Sequence, residues 1–132
     1  MTAALRAHAA GLLCGEAAVE LLIGHGVWLH RAGFVGRFVG VRADAGLVGQ
    51  SVLAWVDWHA AADAVRAGQL VCSAGEGRIL LIAASIAQGV PLDLGDAVSG
   101  LDSLNGVLVA CAVLAAGGHH GVAEDLVGVA CR

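Results

Sequence analysis

Apolar residues recur at helical spacing over most of the chain, interrupted by glycines and by acids placed just ahead of new apolar runs. Thr2 to Leu13 is Ala-rich and sets Leu5, Ala9, Leu12 and Leu13 on one side, which predicts a first helix. Glu16 to Leu29 predicts a second. There Val19, Leu22, Ile23 and Val27 share one face and Glu16 and Glu20 another, while Gly24 and Gly26 loosen the end near His25. His30 to Val41 predicts a shorter third helix, with an apolar stripe of Phe34, Val35, Phe38 and Val39 and with Arg31, Arg37 and Arg42 pointing elsewhere. Gly33, Gly36 and Gly40 each cost about 1 kcal/mol relative to Ala in a helix interior, so this helix depends on packing.

Arg42 to Gln50, with Asp44, Gly46 and Gly49, predicts the main surface loop, and the alternating run Ser51 to Val56 a strand. Asp57 is placed to cap a helix from Trp58 to Ala67, which Gly68 ends. The most strongly patterned stretch follows. Ser73 and Glu76 form a capping-box pair ahead of a helix from Ala74 to Gln88, packed through Ile79, Leu80, Ile82, Ala83 and Ile86. Gly89 and Pro91 stop it. Val90 to Leu94 predicts a second strand, paired with Val52 to Val56 because a lone strand leaves its backbone unsatisfied. Asp96 is expected to cap a short turn from Ala97 to Gly100. Asp102 is expected to cap a helix from Ser103 to Ala116 with Leu104, Val107, Leu108, Cys111 and Leu114 on one face. Gly117 and Gly118 end that helix, and Val122 to Val129 predicts a last one. With no tandem repeat and no low-complexity linker, the expected fold is mainly α. It is a single helical domain over residues 1–132 with at most a two-stranded ribbon, Val52–Val56 with Val90–Leu94.

Composition adds one question to this picture. The chain has 132 residues, 58% hydrophobic and 14% charged, where ordinary soluble domains have roughly 45–50% and 25%. Either a partner covers apolar surface or the chain touches a membrane. A spanning helix needs about 20 predominantly apolar residues, and no window supplies them. Leu21 to His30 is too short, and Ser103 to Ala123 is interrupted by Asn105, Gly117-Gly118 and His119-His120. Met1 to Ala10 carries Arg6 but no signal-peptide cleavage pattern. The expectation is a cytoplasmic protein without a membrane span.

All seven basic residues are Arg, against eleven acids, for a net charge of −4. That balance disfavours nonspecific nucleic-acid binding, which rests on neutralising phosphates. Cys14, Cys72, Cys111 and Cys131 are widely spaced, with no Cys-x-x-Cys pair, and read as reduced core thiols rather than disulfides or zinc ligands.

From Trp55 onward the chain resembles a group of small uncharacterised proteins of high-GC, actinobacterial type. The residues that carry the resemblance are Ala54-Trp55-Val56-Asp57-Trp58, Cys72-Ser73 with Glu76 and Leu80, Ala83-Ala84-Ser85-Ile86-Ala87, Val90-Pro91-Leu92-Asp93-Leu94, and Gly100-Leu101-Asp102 with Asn105. It covers a little over half the chain and implies no activity. Gly77 and Gly95 depart from it, standing where charged or larger residues are expected, which predicts lower stability.

Two constellations invite a functional reading. In Trp55, Asp57, Trp58 and His59, the carboxylate could orient the imidazole as a general base beside a pocket walled by indoles; the structural reading makes Asp57 a cap, the indoles core and His59 a first-turn surface residue. In Arg31, Phe34, Arg37, Phe38 and Arg42, the helix is a candidate interaction surface, or an amphipathic helix with Phe inward and Arg in water. Elsewhere the chemistry is thin. Ser73 to Arg78 could hold an anion at a helix N-terminus, but Glu76 opposes it and Lys is absent. Cys72 precedes that N-terminus, which could lower its thiol pKa. His25 and His30 do not share a helical face, Glu16 and Glu20 read as a solvated face, and His119-His120 as an exposed pair. No nucleophile or metal motif is present, so no catalytic residue, cofactor or metal is expected. The reading is a non-enzymatic module that binds a protein partner or a second copy of itself. The alternatives are a winged-helix-like DNA-associated regulator using the helices Trp58 to Ala67 and Ala74 to Gln88 with the ribbon, tested through Arg37 and Arg78, and a small ligand-binding domain or enzyme around Asp57, His59 and the indoles.

Overall fold

The computed structural model describes residues 1–46 and 49–130. Among these residues the chain forms eight α-helices and one two-stranded antiparallel ribbon, a mainly α fold.

The first two predicted helices are both present, with the boundary between them moved towards the N-terminus. α1 (Thr2–Ala9) ends before Gly11, whose φ of 87° is a turn conformation that favours glycine, and α2 (Leu13–His25) starts after it. The Gly11 N–H donates to Glu16 Oε1 at 3.1 Å, fixing the corner. α2 ends at Gly26, φ 72°, followed by a 3-10 turn, Trp28–His30, and α3 (Ala32–Phe38).

The largest correction concerns the ribbon. β1 (Val39–Gly46) and β2 (Gly49–Val56) pair antiparallel, with Val39 opposite Val56 and Gly46 opposite Gly49. The predicted partner Val90–Leu94 is in no strand; Val90 is buried, and the chain runs on to Asp93, which caps the next helix. Most of the predicted surface loop, Arg42–Gln50, is therefore strand, while residues 47 and 48 lie outside the described residues. Pairing with the adjacent segment closes a very short loop, whereas pairing with a segment beyond two helices costs more chain entropy.

α4 (Trp58–Arg66) starts where Asp57 Oδ1 accepts the Ala60 N–H at 3.1 Å. α5 (Ala74–Gln88) has both halves of its capping box, Glu76 N to Ser73 Oγ at 3.2 Å and Ser73 N to Glu76 Oε1 at 3.3 Å, and stops at Gly89, φ 67°. α6 (Leu94–Ser99) is capped by Asp93 rather than Asp96. α7 (Ser103–Ala116) is capped by Asp102, and α8 (His120–Ala130) follows.

The core runs from Leu5 on α1 through Leu22, Trp28, Phe34, Ala54, Trp58, Leu80 and Ala83 to Val109 on α7. α5 is its spine: Ile79, Leu80, Ile82, Ala83 and Ala84 are buried between α2 and α4, and Ile86 is half-buried. Gly77 has a packing reason, contrary to the stability cost expected there. A Cβ at Gly77 would stand 3.2 Å from Val65 of α4, so glycine lets α4 and α5 close up. α1 lies on β2. No described helix is long and apolar enough to cross a membrane.

Candidate functional site

The structure separates the members of the Trp55–His59 cluster. Trp58 is buried at the start of α4, and Trp55, on the other face of β2 from Ala54 and Val56, lies partly open over Gly40. A Cβ at Gly40 would overlap the Trp55 ring, so the glycine opposite it in the ribbon is what lets the indole lie down. The His8 ring of α1 stands 5.7 Å from it, centroid to centroid. Asp57 is committed to its cap, and His59 is exposed. The two indoles do line a cleft of about 600 Å³, together with Leu5, His8, Cys14 and Gln88, whereas Asp57 and His59 lie outside it. The sequence signal for the added walls is weak, because α1 and the first turn of α2 reach this place only through the corner at Gly11.

The Arg31–Arg42 surface is dispersed in the same way. Phe34 and Phe38 are buried, with Phe34 5.2 Å from Trp28 and 5.4 Å from Phe38. Arg37 lies over the Phe38 ring at 4.8 Å, and Arg42 stands exposed on β1 opposite Leu53. Arg31 is turned inward. Its guanidinium lies 4.8 Å from the Trp28 ring centroid, donates to Val71 O at 2.9 Å and pairs with Glu76 Oε2 at 2.5 Å. Trp28 Nε1 donates to Glu76 O at 3.0 Å. Arg31, Trp28, Ser73 and Glu76 thus form a latch fastening the N-terminus of α5 to the 3-10 turn. The Ser73 N–H, followed by the charge of Arg31, holds the Glu76 carboxyl below its usual value of 4.5 against the opposing effect of burial. An anion has no vacancy there.

His25 borders this latch. Its Nδ1 is enclosed without a partner, and burial lowers its pKa below 6.5, with Arg31 adding to the effect and Glu76 and Asp102 opposing it. Cys72 is half-buried, as a core thiol would be, and not activated by the helix N-terminus: burial, then Glu76, raise its thiol pKa, and Arg31 only partly offsets them. Burial raises Cys111 likewise. Cys14 is exposed rather than a core thiol, and Cys131 lies outside the described residues. His30, His119 and His120 are exposed, and Glu20 pairs with Arg6 at 2.6 Å. Among the described residues no three His, Cys, Asp or Glu side chains converge. Other Arg side chains are also engaged internally: Arg66 reaches the Pro91 carbonyl, and Arg78 fills the space a Gly100 side chain would occupy.

Residue periodicity placed the inward face of α7 only in part: Val107, Leu108, Cys111 and Leu114 are half-buried, and the face is centred on Val109 and Ala112 instead. Only Val109 and Ala112 are buried on it, and Leu104, expected inward, is 71% exposed. A helix that is apolar all round has no periodicity to choose a face. Val113 of α7 and Val122, Val127 and Val129 of α8 are likewise exposed. α8 has α7 as its main packing partner, and an apolar groove of about 480 Å³ runs between α2, α7 and α8, lined by Leu21, Leu108, Ala112 and Val127, with Glu20, His120 and Glu124 among its polar residues. Comparison with protein-family models, with curated proteins and with solved structures finds no match.

Proposed function

We propose that this chain is a non-enzymatic helical module that self-associates, two copies meeting through the hairpin of α7 and α8. The observation that carries the reading is α7 itself: fourteen residues without a charge, two buried and most of the rest half-buried, with Leu104 and Val113 left exposed. A helix hydrophobic all round is ordinarily enclosed on all sides.

The surface area supports the same reading. The chain exposes 7227 Å² for a mass of 13.1 kDa, whereas a compact monomer of that mass exposes about 6,400 Å². The protruding ribbon accounts for part of the excess of about 800 Å². The remainder is smaller than the roughly 800 Å² that each partner covers in a standard interface, and agrees with a covered face in sign only. Charge favours a second copy over an acidic or basic partner. With a net charge of −4, two copies repel least where uncharged surface meets; α7 presents such surface, while the exposed acids of the hairpin, Glu124 and Asp125, lie on α8. The resemblance of Trp55–Asn105 to actinobacterial proteins adds no activity to this reading, and a reducing cytoplasm suits the free Cys14, Cys72 and Cys111.

The test is sedimentation equilibrium of the wild type beside Val113→Glu and Val122→Glu, whose side chains are already exposed and whose replacement leaves the core intact. The expected result is a wild-type dimer and variants that are monomeric with unchanged circular dichroism. A wild type that is monomeric at its highest soluble concentration, or variants that stay dimeric, would overturn the proposal.

A further inference from the structure

The geometry points to the cleft between α1, the start of α2 and β2 as a binding site for a small, flat, neutral heteroaromatic molecule held by the Trp58 indole N–H. The volume of about 600 Å³ falls within the 300–1,000 Å³ typical of small-molecule sites. No Asp, Glu, Lys or Arg lines it, so a charged ligand would lose its hydration without compensation. Trp55 and His8, their rings 5.7 Å apart, offer aromatic faces at its mouth.

Trp58 separates this cleft from an ordinary surface dent. It is 6% exposed and forms part of the wall. Among the described residues its Nε1–H donates to no protein group, while the equally deep Trp28 donates to Glu76 O at 3.0 Å. Buried indoles usually find an acceptor. Among the described residues His25 Nδ1 is the one side-chain polar atom that is both sealed and unpaired, so the unpaired Trp58 N–H is not sealed, and the cleft is the cavity that the Trp58 side chain borders. A ring nitrogen or carbonyl of a planar ligand would complete that hydrogen bond while one of its faces or edges lies against the His8–Trp55 pair. The Asp57–His59 pair, outside the cleft, takes no part. This inference is argued separately from the self-association proposal: the cleft touches α7 only at Ala116, and neither Val113 nor Val122 lines it.

The probe pair is quinoline, which carries a ring acceptor, and naphthalene, which has the same shape without one. Titration is followed by the three indole N–H resonances of ¹⁵N-labelled protein, assigned with Trp→Phe variants. The expected result is a downfield shift of the Trp58 resonance with quinoline, no movement of Trp28, and about fivefold tighter binding of quinoline than of naphthalene, as one net hydrogen bond gives. In Trp58→Phe that preference is expected to vanish; in Trp55→Ala both ligands are expected to weaken. Alkylation of Cys14, which also lines the cleft, gives a second readout in the wild type that does not depend on Trp58→Phe folding. Quinoline should slow iodoacetamide at Cys14 several-fold and leave Cys111 unaffected. Resonances that stay still to the solubility limit, equal affinities for the two probes, a preference that survives Trp58→Phe, or a Cys14 rate unchanged by quinoline would each overturn the inference.

Discussion

Glu76 joins two stabilising devices that can be separated by substitution. Its carboxylate closes the capping box by accepting the Ser73 N–H at 3.3 Å and pairs with Arg31 at 2.5 Å. Its own N–H and C=O, held by Ser73 Oγ and Trp28 Nε1, are backbone groups that survive any side-chain change. Glu76→Gln keeps a side chain competent in the box and removes only the charge. The side chains of Arg31 and Glu76 remain 35% and 21% exposed, so solvent screens the pair and its loss costs about 0.5–1 kcal/mol. Glu76→Ala removes both devices and costs about 1–2 kcal/mol. For a chain of this length each kcal/mol lowers Tm by about 3–6 °C. Urea unfolding followed by Trp fluorescence suits the measurement, because Trp28 sits in the latch. Arg31→Ala costs more than the pair, since it also leaves the Val71 carbonyl and uncovers Trp28, so a double-mutant cycle with Glu76→Gln isolates the coupling. The cycle should return about 0.5–1 kcal/mol above pH 4.5, falling towards zero as acid protonates Glu76. That sign follows from a carboxyl whose folded pKa lies below its ordinary value: its contribution is full above the unfolded value and lost as pH falls through the folded one. A coupling of zero at neutral pH, or one that grows in acid, would refute the latch.

Ser73→Ala should lower stability by about 1 kcal/mol and leave the oligomeric state unchanged; a change in self-association at unaltered stability would show that this N-terminus serves a partner. His25, with its folded pKa lowered mainly by burial, contributes stability that is full above 6.5 and lost as pH falls through the folded value. The urea midpoint should therefore drop as pH falls below 6.5 in the wild type and drop less in His25→Gln, and parallel pH profiles would contradict this. Gly40→Val should lift the Trp55 indole off the ribbon, read as a red-shifted emission and altered near-UV circular dichroism, with weakened quinoline binding; an unchanged Trp55 resonance would mean that the strand moves instead.

The chain's own sequence determined the helix starts and stops where a side chain answers a backbone group three residues away. Asp57, the Ser73–Glu76 pair and Asp102 all cap as expected, and Gly68 and Gly89 end α4 and α5 with positive φ. Those interactions need no distant partner, so a local pattern carries them. The tertiary structure decided the rest. β1 alternates Val39, Val41 and Ala43 with Gly40, Arg42 and Asp44, but its glycines and Asp are also loop residues, and its register against β2 is what settles it as a strand. Arg31 meets Glu76 across forty-five positions, and the cleft draws its walls from α1, α2, β2 and α4, brought together by packing of the core. α7 shows the limit most plainly. With apolar residues on every side, its sequence specifies a helix but no inward face, and only the neighbours that pack against it choose which residues are buried and which are left for a partner.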